Sequence, residues 1–496
     1  MWRIAVALAL LATSAFAEEP ARRPHVLLLM ADQWRGDALG CAGHPAVRTP
    51  RLDRLASEGC NFVRAYSSAP SCTPARAALL TGMSPWGHGM LGYARVAARY
   101  PVELPRLFGA AGYRTHVVGK NHFSPQRNLH GWQSAELDES GRVETPDFES
   151  DYRKWFRTVA PDRDPDATGI GWNDYRARSY ALPENLHPTR WTGDRAVAFL
   201  ETHDVKRPFL LKVSFARPHS PYDPPPRLLD LYKEAKIPPA FVGAWSAKAF
   251  GALARPQRFT AARNNLGPKL TRASRAAYYA NITFIDEEIG RILNALRARG
   301  VLENTLVVFF GDHGDMLGDH HLWRKAYAYE GSARVPMIVR WGSEFMKAPR
   351  GTVRREPVEI RDVLPTLLDA ASLAIPDAVE GKSLLRLVRG ETKGWREVLD
   401  LEHATTYWPG NAWTALTDGR FKYIFHAFDG SEQLFDLDAD PGETKDLAAQ
   451  PDHAARLTRW RARMAKHLAP RGETWVADGK PAIRKKRIAL GPNYPR

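Results

Sequence analysis

The sequence predicts an α/β protein organised on a large, mostly parallel β-sheet, and three observations carry that expectation. Residues 25–30, 114–118, 209–215 and 305–310 are runs whose apolar residues follow one another without strict alternation. Strands covered on both faces by helices lose the in–out pattern, so such runs mark a buried parallel sheet. Stretches with helical spacing lie between the runs. The clearest is 276–299, where Tyr278, Ile282, Ile285, Ile289, Ile292 and Leu296 recur three and four apart. Each run also ends in polar residues, and open α/β sheets place their ligands at the carboxyl ends of strands.

Taken in order, the run 25–30 leads into Asp32-Gln33, oxygen donors of the kind hard divalent cations prefer. Thr49 and Pro50 open a helix that closes near Gly59, with Leu52, Leu55 and Ala56 on one side. The stretch Ser71-Cys72-Thr73-Pro74-Ala75-Arg76 continues as Ala77-Ala78-Leu79-Leu80-Thr81-Gly82 and reads as a short helix. Thr73 and Pro74 give its start signal and Gly82 its stop. A cysteine is thus presented at the positive end of a helix dipole, with Arg76 one turn further along, a setting for a nucleophile that meets an anion.

A helix at 104–110, stopped by Gly112, precedes the run 114–118, which delivers Gly119-Lys120-Asn121-His122. From 123 to about 190 the periodicity fades. Loops this long are usually functional, and these are expected to wall the substrate pocket. After a helix at 192–200, the run 209–215 ends in Arg217-Pro218-His219-Ser220-Pro221, a proline-stiffened loop that holds His219. Residues 227–270 are a proline-punctuated insertion. The sequon Asn281-Ile282-Thr283 falls inside the long helix and reads as accidental. The run 305–310 ends in Gly311-Asp312-His313-Gly314, which mirrors Asp32-Gln33; two such pairs on neighbouring strands would enclose one cation. A helix at 363–369, strands at 413–417 and 421–425, a turn at 436–444 and a helix at 454–468 complete the chain. The basic tail from 480 is either loose or packed over the pocket mouth.

With 496 residues the chain can bury a large core, as one large and one smaller domain. The formal charge of +15 is spread along the sequence, a field that attracts sulfated or phosphorylated substrates. No aromatic-basic repeat, zinc spacing or recognition-helix pattern supports nucleic acid as a partner. Met1-Trp2-Arg3, an apolar run at 4–11 and Ala15-Phe16-Ala17 before Glu18 read as a signal peptide over 1–17, so export to the periplasm or beyond is expected. That run is too short for a membrane span, and no later stretch reaches the required length. Three cysteines exclude a disulfide framework; Cys41 and Cys60 are either bridged or free.

Cys72-x-Pro-x-Arg76 followed by Ala-Ala-Leu-Leu-Thr-Gly resembles the signature of formylglycine-dependent sulfatases. Residues 49–56 resemble the segment that precedes the cysteine in that family. Gly119-Lys120-x-His122 resembles its sulfate-binding lysine with the accompanying histidine, and His219 matches the position that protonates the leaving group. The stretch 311–336 resembles the second sulfatase signature, with Lys325 at the second sulfate-binding position. The resemblance covers nearly the whole mature chain. It implies the alkaline phosphatase-like fold, a large mixed sheet between helical layers with a smaller antiparallel sheet and helix. The division that goes with it is a catalytic domain over 18–370 and a C-terminal subdomain over 371–496.

The resemblance also implies a mechanism. A maturation enzyme would oxidise Cys72 to formylglycine, whose hydrate attacks sulfur. Asp32, Gln33, Asp312 and His313, with the modified Cys72, would hold one divalent cation. Family precedent favours Ca2+, and the nitrogen ligand leaves Mn2+ open. Lys120, His219 and Lys325 would bind the sulfate group, Arg76 would stabilise the hydrate, His219 would protonate the departing alcohol, and His122 would assist the elimination of sulfate. The expected activity is hydrolysis of a sulfate ester, with a sulfated carbohydrate as preferred substrate class. Gln33 with His313 also resembles the choline-sulfatase and phosphonate monoester hydrolase branches, and Gly119-Lys120-Asn121-His122-Phe123 with Leu129-His130-Gly131 resembles the choline-sulfatase branch. Phosphonate or phosphate ester hydrolysis, choline sulfate as substrate, and glycan binding by an unmatured Cys72 therefore stay open.

Overall fold

The structure, a computed structural model, describes residues 23–140, 142, 145–255 and 258–495. The segment read as a signal peptide lies outside the described residues. Among those residues, eight strands form the main sheet: β1 (His25–Asp32), β2 (Cys60–Phe62), β3 (Arg114–Gly119), β4 (Ser134–Leu137), β5 (Phe209–Pro218), β6 (Thr305–Gly311), β7 (Met337–Arg340) and β8 (Thr352–Arg354). Their spatial order is β8-β2-β7-β6-β1-β5-β3-β4. Neighbours are parallel except at β7, which runs against both β6 and β2. The sheet is therefore mixed and mostly parallel. The four strands legible as apolar runs are its contiguous centre, β6-β1-β5-β3.

The helices are α1 (Pro50–Ser57), α2 (Cys72–Thr81), α3 (Leu104–Ala110), α4 (Asp151–Val159), α5 (Pro188–Thr202), α6 (Gly267–Ala298), α7 (Val363–Ala370) and α8 (Ala454–Leu468), with shorter turns between them. They explain why β1 does not alternate. Leu27, Leu29 and Ala31 pack on one side with Leu52 of α1 and Ile282, Ile285 and Ile289 of α6. Val26, Leu28 and Met30 pack on the other with Ala75 and Leu79 of α2, Leu104 of α3 and Leu364 of α7. Each of the larger side chains among these contributes about 1.5–3 kcal/mol relative to exposure, so both faces must be apolar for the layer to close.

The expected elements depart from the structure in a few places. Residues 123–190 hold β4 and α4 as well as loops. The edge strand β4, Ser-Ala-Glu-Leu, has three half-buried residues and no β-branched one, so its pattern is weak. Helix α5 starts at Pro188, where His187 accepts a hydrogen bond from the Thr189 N–H. Helix α6 starts at Gly267, ahead of the apolar spacing that begins at 276, because its first turns, Lys-Leu-Thr-Arg-Ala-Ser, are mostly polar and carry no such spacing. Asn281 is fully buried within α6, in keeping with an accidental sequon. Cys41 and Cys60 are free thiols; burial pushes them up to about 12 and about 11.

The C-terminal sheet consists of β9 (Leu399–His403), β10 (Trp413–Thr417), β11 (Phe421–His426) and β12 (Glu432–Asp436), all antiparallel. One face packs Leu401, Trp413, Ile424 and Phe435 on Leu322, Tyr327 and Tyr329. The other packs Leu416, Tyr423 and Leu434 on Trp460, Met464 and Leu468 of α8. Lys422, buried in β11, pairs with Glu330 and with Glu443. The tail returns to the body: the Leu91 N–H donates to the Ala489 carbonyl at 2.9 Å, and Tyr494 Oη donates to the Arg95 carbonyl at 2.9 Å.

Candidate active site

Helix α2 begins at Cys72 itself, with Ser71 in the extended conformation as its N-cap. Pro74 sits in the first turn, where a missing N–H costs nothing, and Gly82 ends the helix in the left-handed region at φ 69°. All ten residues of α2 are buried, which the alanines allow by keeping the helix thin. The Ser71 hydroxyl lies 2.8 Å from His403 Nε2 of β9, so the C-terminal sheet touches the cap of this helix.

The carboxyl ends of the central strands deliver the other groups. Asp32 closes β1 and Asp312 follows β6, its parallel neighbour, so the two carboxylates stand side by side. Arg76 joins them: its Nη2 lies 3.2 Å from Asp32 Oδ2 and 3.1 Å from Asp312 Oδ2. Nη1 donates to the Lys120 carbonyl at 2.7 Å and to Ser214 Oγ at 3.2 Å. The Oδ1 atoms face His313 Nε2, each at 3.6 Å, and Cys72 Sγ is 3.2 Å from the same nitrogen. Ligand atoms of Asp32, Cys72, Asp312 and His313 all lie within 4.8 Å of one another.

Gln33, at φ 70°, donates its backbone N–H to Asp312 Oδ1, and its side-chain oxygen accepts from Lys325 Nζ at 3.1 Å. Lys325 Nζ also lies 3.1 Å from Cys72 Sγ. Lys120 pairs with Asp32. His219 donates its backbone N–H to the Asp32 carbonyl, and its Nδ1 is 2.9 Å from the Ser220 carbonyl. His219 Nε2 is buried without a hydrogen-bond partner. His122 stands apart, with Nε2 3.2 Å from Tyr93 Oη and its backbone N–H on Glu139.

Burial opposes charge throughout, and the outcome depends on the neighbours. Burial raises the Asp32 carboxyl, but Lys120, His219, Lys325 and Arg76 together hold it well below the usual range. Burial and Asp32 raise the Cys72 thiol; Lys325, Lys120 and His313 outweigh them and bring it down to about 7. Burial and Lys325 push His219 well down, only partly offset by Asp32. Arg76, Lys120 and Lys325 outnumber the two carboxylates, so the site favours an anionic ligand.

A cavity of about 530 Å3 opens onto this cluster and is lined by His122, Lys325 and Ser71, with Tyr93, Trp172, Tyr407 and Trp408 among its walls. Trp172 and Asn173 come from the loop region expected to wall a pocket, and Arg487 comes from the basic tail. Three supporting residues are absent from the sequence reading. The Trp172 indole stacks on His219 at 3.8 Å and lies 4.4 Å from Lys120 Nζ. Asp315 accepts from the Gln33 amide, from Tyr222 Oη and from the backbone N–H groups of Leu317 and Arg324. Ser214 holds Arg76. Asp315 lies in the polar stretch after β6 and could have been singled out there; Trp172 and Ser214 carry no local signal.

Comparison with known proteins agrees with this geometry. The family model described as Sulfatase matches residues 24–373, and one described as N-sulphoglucosamine sulphohydrolase, C-terminal, matches 318–469. An arylsulfatase of Clostridium perfringens is 38% identical over 470 residues, which cover 92% of this chain and 97% of that protein. A choline-sulfatase of Rhizobium meliloti is 31% identical over 478 residues, covering 90% and 87%. Among solved structures, the phosphonate monoester hydrolase of Agrobacterium radiobacter superposes with a TM-score of 0.75 at 26% identity, over 93% of this chain and 100% of that one. The first match alone spans well over half of the sequence, and the chain belongs to the sulfatase family, as a sulfuric ester hydrolase with an alkaline phosphatase-like fold.

Proposed function

We propose that this protein hydrolyses the sulfate ester of a sulfated carbohydrate, with Cys72 matured to formylglycine and one divalent cation held by Asp32, Gln33, Asp312 and His313. The observation that carries the reading is the convergence of two carboxylates, an imidazole and Cys72 within 4.8 Å beneath a cavity walled by aromatic side chains. That donor set fits a cation such as Ca2+ or Mn2+, and the Gln33 side-chain oxygen keeps a second lone pair beside its bond to Lys325. A bound cation supplies positive charge for a sulfate oxygen, and the hydrated aldehyde supplies a hydroxyl nucleophile that a thiol does not offer.

The remaining steps fall to the chain's own groups. Arg76 fixes both carboxylates through their Oδ2 atoms, so their Oδ1 atoms stay turned to His313 and Cys72. Lys120 and Lys325, whose charges both act on Cys72, bring positive charge to the sulfate group. His219 has Nδ1 tied to the Ser220 carbonyl, which leaves Nε2 to hold a proton for the departing oxygen. Burial keeps this imidazole neutral in the free site, with its one proton on Nδ1. An arriving anion raises its proton affinity, so that Nε2 takes up the proton it then donates. His122, beside Tyr93, is assigned to the proton movement that releases sulfate.

The cavity carries Lys325, Arg324 and Arg487 and, among the described residues, no carboxylate, which disfavours a quaternary ammonium such as choline. A second reading, turnover of phosphonate or phosphate esters by the same groups, draws on the likeness to the phosphonate monoester hydrolase. Parallel assays on sulfated saccharides, nitrophenyl sulfate and phosphonate esters test the proposal, which fails if phosphonates alone are turned over. The role of His219 has its own check. His219→Ala is expected to lower kcat/KM about 10²–10⁴-fold on an alkyl or sugar sulfate and far less on nitrophenyl sulfate, whose leaving group needs no proton. Equal losses on both substrates would assign His219 to positioning.

Export remains part of the proposal, resting on the N-terminal segment. No helix among the described residues is long and apolar enough to cross a membrane.

A further inference from the structure

In the deep site both carboxylates have cationic partners, whereas the guanidinium groups at its mouth face no carboxylate among the described residues. Arg76 and Lys120 lie against Asp32, and Arg76 also against Asp312. At the cavity wall, Arg324 and Arg487 have no carboxylate partner among the described residues, and no carboxylate lines the cavity. We propose that the guanidinium groups of Arg324 and Arg487 form a second anion-binding subsite, which takes a sulfate or carboxylate borne by the same saccharide as the scissile sulfate. The inference rests on the sulfated-carbohydrate reading above and names the kind of carbohydrate: one with a second negative group.

Both side chains are held in place without being neutralised. The Arg324 backbone N–H donates to Asp315 Oδ1 at 2.9 Å, and its φ of 72° lies in the left-handed region, which the surrounding contacts must enforce. Its guanidinium lies 4.7 Å from the Tyr407 ring, while Nε is buried with no hydrogen-bond partner. Arg487 donates from Nη2 to the Tyr93 carbonyl at 3.0 Å, which leaves most of its fork free. Nearby, Arg263 lies 4.5 Å from Trp408, again with no carboxylate partner among the described residues. Like charges left unneutralised beside one cavity repel each other, and a bound anion relieves that repulsion. The planar fork of arginine matches the oxygens of sulfate and carboxylate alike. At about 530 Å3 the cavity lies within the range of small-ligand sites and exceeds what a sulfate group alone fills.

The test compares four substrates: nitrophenyl sulfate, a monosulfated monosaccharide, a disulfated monosaccharide, and a monosulfated disaccharide containing a uronate. Wild-type protein is expected to favour the two dianionic saccharides over the monosulfated one by about tenfold or more in kcat/KM. Preference for only one of them identifies the second group as sulfate or as carboxylate. Arg487→Ala and Arg324→Ala should each shrink that ratio about tenfold, Arg487→Lys should retain part of it, and added salt should lower it. Calorimetric binding of the same saccharides to Cys72→Ala protein gives a readout without turnover. If no sulfate ester is hydrolysed yet the dianionic saccharides bind more tightly, the hydrolytic reading fails while the subsite stands. A ratio near one in wild-type turnover and binding, or a ratio unmoved in both alanine variants, overturns the subsite.

Discussion

Replacing Cys72 by alanine is expected to lower turnover by about 10⁴-fold or more, the scale seen when a covalent nucleophile is removed. The fold should survive, because alanine is well tolerated in the first turn of a helix and the lost sulfur leaves only a small gap. The unmodified thiol is poorly suited to the task. It is fully buried, lies 3.1 Å from Lys325 Nζ and has its pKa brought down to about 7, so a thiolate would set a negative charge where an anionic ester must bind. The matching chemical measurement is mass spectrometry. Trypsin releases residues 65–76, which contain this cysteine and no other. Active protein should give that peptide lighter by about 18 Da, partly as its hydrate, with activity proportional to the converted fraction. Full activity with an unshifted peptide would overturn the formylglycine mechanism.

The second large effect concerns the cation. Wild-type protein is expected to contain about one divalent ion per chain, and Asp312→Asn or Asp32→Asn should lose it along with at least 10³-fold of activity. Metal content is measured by elemental analysis, independently of turnover. Asparagine is the better probe, since Asp312 also accepts from the Gln33 and His313 N–H groups and Asp32 sits between Arg76 and Lys120. Breaking a buried ion pair costs about 3–5 kcal/mol, so thermal melting must accompany the assay. Removing the ion from wild-type protein with a chelator, then restoring activity with Ca2+ or Mn2+, separates ligation from folding. Full metal occupancy in both variants would remove these carboxylates from the ligand set.

How much of this was legible in the sequence follows from the range over which each signal acts. Strands β1, β5 and β6 could be read because both their faces are buried and the chemistry sits within a few residues of their ends. Helix α2 could be read because its start, stop and reactive residues are local. Edge strands such as β4 and β8 lack a fully apolar pattern because part of their surface meets water. In β9, Asp400 and Glu402 alternate with leucines, and in β12 the charges Glu432 and Asp436 stand at the two ends. These carboxylates pair with arginines from elsewhere in the chain. Contacts across the chain were out of reach. No spacing shows that Arg76 spans carboxylates 44 and 236 residues away, or that Trp172 covers His219. The neighbouring of Asp32 and Asp312 could be anticipated because both follow adjacent parallel strands.

The seating of the C-terminal sheet has a consequence for modularity. Lys422 of β11 is buried against Glu330 and Glu443, and His403 of β9 touches the cap of the helix that carries Cys72. A chain ended at 370 would leave Glu330 with Arg334 alone, uncover Tyr327 and Tyr329, and take away both Tyr407 and Arg487 from the cavity. The two family matches overlap over residues 318–373, within the segment that joins the parts. Recombination or gene truncation near that point is expected not to release a working half.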